Sequence, residues 1–151
     1  MDSETTAALK FLQVYSHARA EMRGLLGWLL KRSSVKEARV YDTPPRSFDR
    51  KMRDSAAPAP IITFSSSVAA AFLDGSDAEW RFEVSCDSSG WKVEHSVSQR
   101  GPDEELMSVI VDFGEWASES LDELAAYLAK VVEDLRESVE TPGVLPVLAL
   151  I

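Results

Sequence analysis

The chain contains one cysteine, Cys86, and two histidines, His17 and His95. Cys86 and His95 fall on the apolar parity of two adjacent strand patterns, and a thiol beside an imidazole can form an activated nucleophile. The plainer reading is favoured. A lone cysteine commonly behaves as a small buried hydrophobe, and a lone histidine is commonly a structural residue with its hydrogen bonds met. The two histidines are far apart in sequence and neither has a partner at metal-ligand spacing, so no metal site is expected. Gly24 and Gly27 lie inside a helical pattern rather than in a phosphate-cradling loop, and G-x-S-x-G is absent. No cofactor and no catalytic residue are expected, and the chain reads as a non-enzyme.

Binding chemistry is better represented. Asp103, Glu104, Glu105, Asp112, Glu115 and Glu119 crowd into 17 residues, with Trp116 among them. Tryptophan is enriched in binding hot spots, and an acidic rim around it suits a basic protein surface with fast, salt-sensitive association. Asp112, Glu115, Trp116, Glu119, Asp103 and Glu104 are therefore the candidate partner-binding residues. In the alternative, Trp116 plugs the end of a sheet and the acids only keep the protein in solution. The net charge of −9 is unevenly spread. Residues 1–56 carry 11 Lys and Arg against 7 Asp and Glu; residues 57–151 carry 5 against 18. The acidic excess argues against nucleic-acid binding, which needs a basic face.

These residues must be positioned by residues 80–139, which read as strand, turn, strand, turn, strand and helix. Trp80, Phe82, Val84 and Cys86 alternate with Arg81, Glu83 and Ser85, a half-buried strand. After the turn Asp87-Ser88-Ser89-Gly90, the alternation resumes with Trp91, Val93, His95 and Val97. A third strand spans residues 106–113. Its two apolar faces place it centrally in the sheet, with Met107, Val109, Val111 and Phe113 on one side and Leu106 and Ile110 on the other. Short links make neighbouring strands antiparallel. Ser120-Leu121-Asp122-Glu123 fits a capping box, and Leu121, Leu124, Leu128, Val131, Leu135 and Val139 form a helical stripe.

The rest of the chain adds a long N-terminal helix from Ser3 to about Arg32, with Ala8, Phe11, Leu12, Tyr15, Met22, Leu25, Leu26 and Leu29 as its stripe. Its glycines either allow close approach to the sheet or mark a kink. Residues 37–42 form a short strand candidate. Residues 43–60 read as a mobile basic, proline-rich loop, residues 61–64 as a strand and residues 65–73 as strand rather than helix. Residues 144–151 form an apolar tail that packs on the body or joins two copies in a homodimer. The expected architecture is a single α+β domain, 1–151, with an antiparallel sheet of four to six strands and both helices on one face. The absence of a signal pattern, of a membrane-length apolar run and of paired cysteines suits a cytoplasmic protein.

Glu79-Trp80-Arg81-Phe82-Glu83-Val84, Ser89-Gly90-Trp91-Lys92-Val93, Asp112-Phe113-Gly114-Glu115-Trp116 and Ser120-Leu121-Asp122-Glu123-Leu124 together resemble small bacterial immunity proteins of polymorphic-toxin systems. The likeness lies in layout over about 40% of the chain. Those proteins share no single fold, so it transfers no site residue. A second resemblance is to type III secretion chaperones, which are small, acidic and α+β. Either implies a stoichiometric binder: an inhibitor that neutralises a toxin, or a chaperone for a secreted effector. A small enzyme using Cys86 and His95 is the third reading.

Overall fold

A computed structural model describes residues 3–47, 62–87 and 89–140. The chain runs α1 (Ser3–Leu30), β1 (Val35–Ser47), β2 (Ile62–Phe72), β3 (Asp77–Asp87), β4 (Gly90–Arg100), β5 (Ser108–Ser118) and α2 (Leu121–Glu140). The five strands form one antiparallel sheet in sequence order. This is the expected α+β layout of a long first helix, a meander and a closing helix.

One face of the sheet is the core. Phe64, Val68, Ala70 and Phe72 of β2 lie beside Ala78, Trp80, Phe82 and Val84 of β3, and these beside Val93 and Val97 of β4. From α1 come Val14, Ala18, Met22, Leu25 and Leu29; from α2 come Leu124, Leu128, Val131 and Leu135. Phe11 and Tyr15 meet Phe64 edge-on, at 5.7 and 5.2 Å between ring centroids, which adds directional contact to burial. The helical stripe of α1 is shifted from the one expected. Leu12 is 52% exposed and Val14 and Ala18 are buried in its place. The two helices run parallel along the sheet, with Lys10 paired to Asp122 near their starts and Glu21 to Arg136 further on.

Local chemistry fixes the connections. Asp74 Oδ1 accepts from Ser76 N at 2.8 Å, and Asp87 Oδ1 accepts from Ser89 N at 2.7 Å, so both hairpin turns are closed by the same Asx device. At α2, Ser120 Oγ accepts from Glu123 N at 3.2 Å, the first half of the capping box. The second half differs: the Glu123 carboxylate takes the Ser118 hydroxyl, whose oxygen accepts from Ser120 N at 3.1 Å.

Two of the strand expectations change. Residues 43–47 are not loop but the end of β1, with a register shift between Thr43 and Arg46. Pro44 and Pro45 lack N–H donors, which an edge strand tolerates. Residues 61–64 and 65–73, both expected as strand, are strand over the described residues and form one element, β2, Ile62–Phe72. β5 is not central but the far edge of the sheet. The remainder of the basic loop, 48–60, and the apolar tail, 141–151, lie outside the described residues.

Neither glycine of α1 approaches the sheet. A Cβ on Gly27 would meet nothing within 4 Å, and one on Gly24 only the Arg136 guanidinium at 3.8 Å. Gly27→Ala is therefore expected to raise the unfolding free energy by about 0.4–1 kcal/mol. Urea denaturation checks this, and a loss of stability would show that the α1 backbone is not regular there.

Candidate functional site

No described helix covers the sheet face opposite α1 and α2; at one end Glu105, Leu106 and Met107 of the β4–β5 loop line a groove on it with Glu37, Arg39 and Tyr41 of β1. Strand parity puts Glu79, Arg81 and Glu83 of β3 and Lys92, Glu94 and Ser96 of β4 on it. The pairing then sets Glu83 opposite Glu94, and Glu94 opposite Glu115 of β5. Three glutamates thus stand in one row across three strands. In the neighbouring row Arg81 faces Ser96, and Ser96 faces Asp112. Arg81, Glu83, Glu94, Asp112, Gly114 and Glu115 line a groove of about 310 Å³.

The row is electrostatically strained. Like charges directly opposite on neighbouring strands are destabilising. Glu94 is exposed as a residue, but the atoms around its carboxyl strip away water. This desolvation, with Glu115, Glu83 and Asp112 nearby, pushes its pKa up. One cation is close at hand: Arg81 donates to Glu83 Oε2 at 2.6 Å.

A bulge makes the row possible. Gly114 has φ of +83°, a left-handed value, and its N–H donates to Asp112 Oδ1 at 2.9 Å. The pairing slips by one residue between Ser96–Asp112 and Glu94–Glu115. The extra residue keeps Asp112 and Glu115 on the open face while Phe113 and Trp116 both point to the helices.

The six candidate partner-binding residues therefore divide. Asp112 and Glu115 share the open face. Trp116 lies on the opposite face, stacked on Tyr127 of α2 at 4.5 Å and 5°, and half-buried against the core. It is not the centre of an acidic rim. Glu119 sits beside Gly90 at one end of the sheet. Asp103 and Glu104 belong to the β4–β5 loop, where Glu104 Oε2 accepts from Gly101 N at 3.0 Å. Glu83 and Glu94 complete the acidic row; neither is among the six candidates, since in the sequence each stands two residues from a basic side chain, Arg81 or Lys92. The pairing of Glu83 with Glu94 was implicit in the two-residue turn between Asp87 and Gly90.

Cys86 and His95 do not come together. Cys86 pairs with Trp91 and His95 with Phe82, four positions or roughly 13 Å along the strands. Burial, helped by the Asp87 charge, pushes the Cys86 thiol pKa up, against the thiolate that a nucleophile needs. His95 is 2% exposed. Its Nε2 lies 3.1 Å from Asp134 Oδ2, its ring stacks on Phe113 at 4.4 Å, and Tyr127 meets it edge-on. Its Nδ1 has no hydrogen-bond partner among the described residues. Burial pulls the imidazole pKa below its ordinary value of 6.5, outweighing the opposite pull of Asp134.

Among the described residues no group of three or more His, Cys, Asp or Glu is arranged to hold a metal ion, and no helix is long and apolar enough to cross a membrane. Comparison with protein families, with curated proteins and with solved structures finds no match.

Proposed function

We propose that this chain is a non-catalytic cytoplasmic binding protein that neutralises a partner protein with a basic surface, in the manner of an immunity protein against a bacterial toxin. The observation that carries this reading is the row Glu83, Glu94 and Glu115 on the helix-free face of the sheet. A carboxyl whose pKa is raised weighs against the folded state at neutral pH, because its repulsion is relieved only by protonation. A Lys or Arg from a partner relieves it equally well, so the strain in the free protein becomes affinity and specificity in the complex. A secretion chaperone would share this surface. The gene next door separates the two readings: a toxin in one case, a secretion locus in the other.

The test uses the product of the neighbouring gene, co-expressed with this chain. The wild-type chain is expected to rescue growth. The Glu94→Gln/Glu115→Gln double variant is expected to bind at least about tenfold more weakly, a difference of about 1.4 kcal/mol, with a shallower salt dependence. The same variant should be more stable on its own, by about 0.2–1 kcal/mol for each of the two like-charge pairs it removes, Glu83–Glu94 and Glu94–Glu115. Unchanged affinity and salt slope in the folded variant, or a neighbour without toxicity, would overturn the reading.

A further inference from the structure

The open face of the sheet is not level. Along β2 its side chains are Ser65, Ser67, Ala69 and Ala71, all small. Toward one end Ala69 and Ala71 become the floor of a groove of about 470 Å³, between Tyr41 of β1 and Leu106 and Met107 of the β4–β5 loop. Those three walls are apolar and accessible: Tyr41 is 56% exposed, Leu106 80% and Met107 41%. Both guanidiniums on the rim are already matched. Arg39 lies 3.4 Å from Glu37, and Arg100 donates to Asp77 Oδ2 at 2.6 Å. Neither needs an outside anion, and the space between them suits an uncharged side chain.

The loop wall is fixed before any partner arrives. Arg100 donates to Glu104 O at 2.8 Å and to Gly75 O at 3.0 Å, and Glu104 Oε2 accepts from Gly101 N at 3.0 Å. Pro102 closes on the β2–β3 turn, where a Cβ on Gly75 would stand 3.4 Å from the Pro102 Cβ. A wall already ordered loses little further entropy on binding. Met107 is unbranched and polarisable and can adjust to the shape of what enters. The acidic row lies on the same face. Ala69 pairs with Glu79, and Glu83 follows four residues on, roughly 13 Å along the strand.

We propose that this groove receives one large apolar side chain of the partner protein, in a segment whose Lys or Arg reach Glu83, Glu94 and Glu115. The separation corresponds to about four residues of an extended segment or about nine of a helix. This deepens the reading of the chain as a binder of a basic protein and rests on it. The two parts of the face act differently. A buried apolar anchor slows dissociation of the complex, while the acids steer the encounter and set its salt dependence. The net charge of −9 favours a basic partner over a second copy of the chain.

The experiment measures binding of the purified product of the neighbouring gene to the whole protein at two salt concentrations. Ala69→Gln fills the floor of the groove, and Leu106→Ser/Met107→Ser removes its loop wall. Each is expected to weaken binding at least about tenfold, through faster dissociation and with the salt slope unchanged. Glu94→Gln/Glu115→Gln differs by flattening the slope. The changed side chains are half-buried or exposed, and thermal denaturation verifies that the variants fold. Wild-type affinity in either folded groove variant, with weaker binding by Glu94→Gln/Glu115→Gln, overturns the groove and leaves the neutralising role standing. Full affinity of all three variants, or no binding by the wild type, overturns both. A concentration-dependent dimer of the wild type that Ala69→Gln abolishes also overturns the proposal, since the groove would then belong to a second copy.

Discussion

Leu128→Ala is expected to lower the unfolding free energy by about 2–5 kcal/mol, with Leu124→Ala costing a similar amount. Both side chains are buried, one turn apart on α2, between the sheet and α1. Neither neighbouring layer can collapse freely into the space left behind, because the sheet face is set by its hydrogen-bonded ladder and α1 is pinned elsewhere. Arg19 and Arg23 donate to Asp42 Oδ2 at 3.0 and 3.2 Å, and Ser66 Oγ donates to Asp42 Oδ1 at 2.7 Å. Each truncation therefore loses transfer free energy and leaves a cavity. Urea denaturation at neutral pH measures the effect. Losses within about 0.5 kcal/mol would show that the α2 stripe does not face the core.

Acid should weaken the fold through His95. The imidazole is neutral in the folded protein, its Nε2–H donating to Asp134 and its Nδ1 without a partner among the described residues. Protonation adds a donor at Nδ1 with nothing to receive it, in a site closed by Phe113 and Tyr127. Asp134 favours the charged form, as does Asp112; Lys130, 3.4 Å from Asp134, opposes it. The folded pKa lies below the unfolded value, so the unfolded chain binds the proton first. The stability that neutral His95 contributes is complete above pH 6.5 and is lost as the pH falls through the folded value. Each unit of depression is worth about 1.4 kcal/mol. His95→Phe keeps a ring against Phe113 and removes the titration. Its unfolding free energy should fall less steeply than wild type between pH 7 and pH 5. Glu94, with its raised pKa, acts in the opposite direction on acidification, so the difference between variant and wild type, not the raw slope, isolates His95. Identical slopes would show that the imidazole finds an acceptor when charged.

Much of this architecture is written in local pattern. The alternation of Trp80, Phe82 and Val84 and of Val93, His95 and Val97 names the core face of β3 and β4, because a strand with one wet face must alternate. Ser120 with Glu123 marks the start of α2, although Ser118 supplies the other half of the cap. What local pattern misreads is β5. Apolar residues on both of its apparent faces suggest a central strand, but Leu106 and Met107 belong to the loop before it, and β5 is an edge. Its pairing also slips twice, near Ile110 and at Gly114, and each slip reverses parity. Trp116 consequently faces Tyr127 rather than the acids beside it in sequence. Asp112 followed two residues later by Gly114 was the available signal for that bulge. The acidic row was half visible: the tight turn fixes Glu83 against Glu94, but Glu115 joins them only through a bulge. The strand through Pro44 and Pro45 was hidden because proline suggests a break unless the strand is known to be an edge.

The order of elements also sets a timetable. Every strand pairs with its neighbour in the chain, so the sheet can assemble hairpin by hairpin as it leaves the ribosome. The helices obey a different clock. α1 is made first, and the contact between Glu21 and Arg136 joins residues 115 positions apart. Until α2 is released, Leu124, Leu128, Val131 and Leu135 are missing from the core that buries the apolar side of β3 and β4. The nascent chain therefore passes its most aggregation-prone moment when the meander is complete and the final helix is still inside the tunnel.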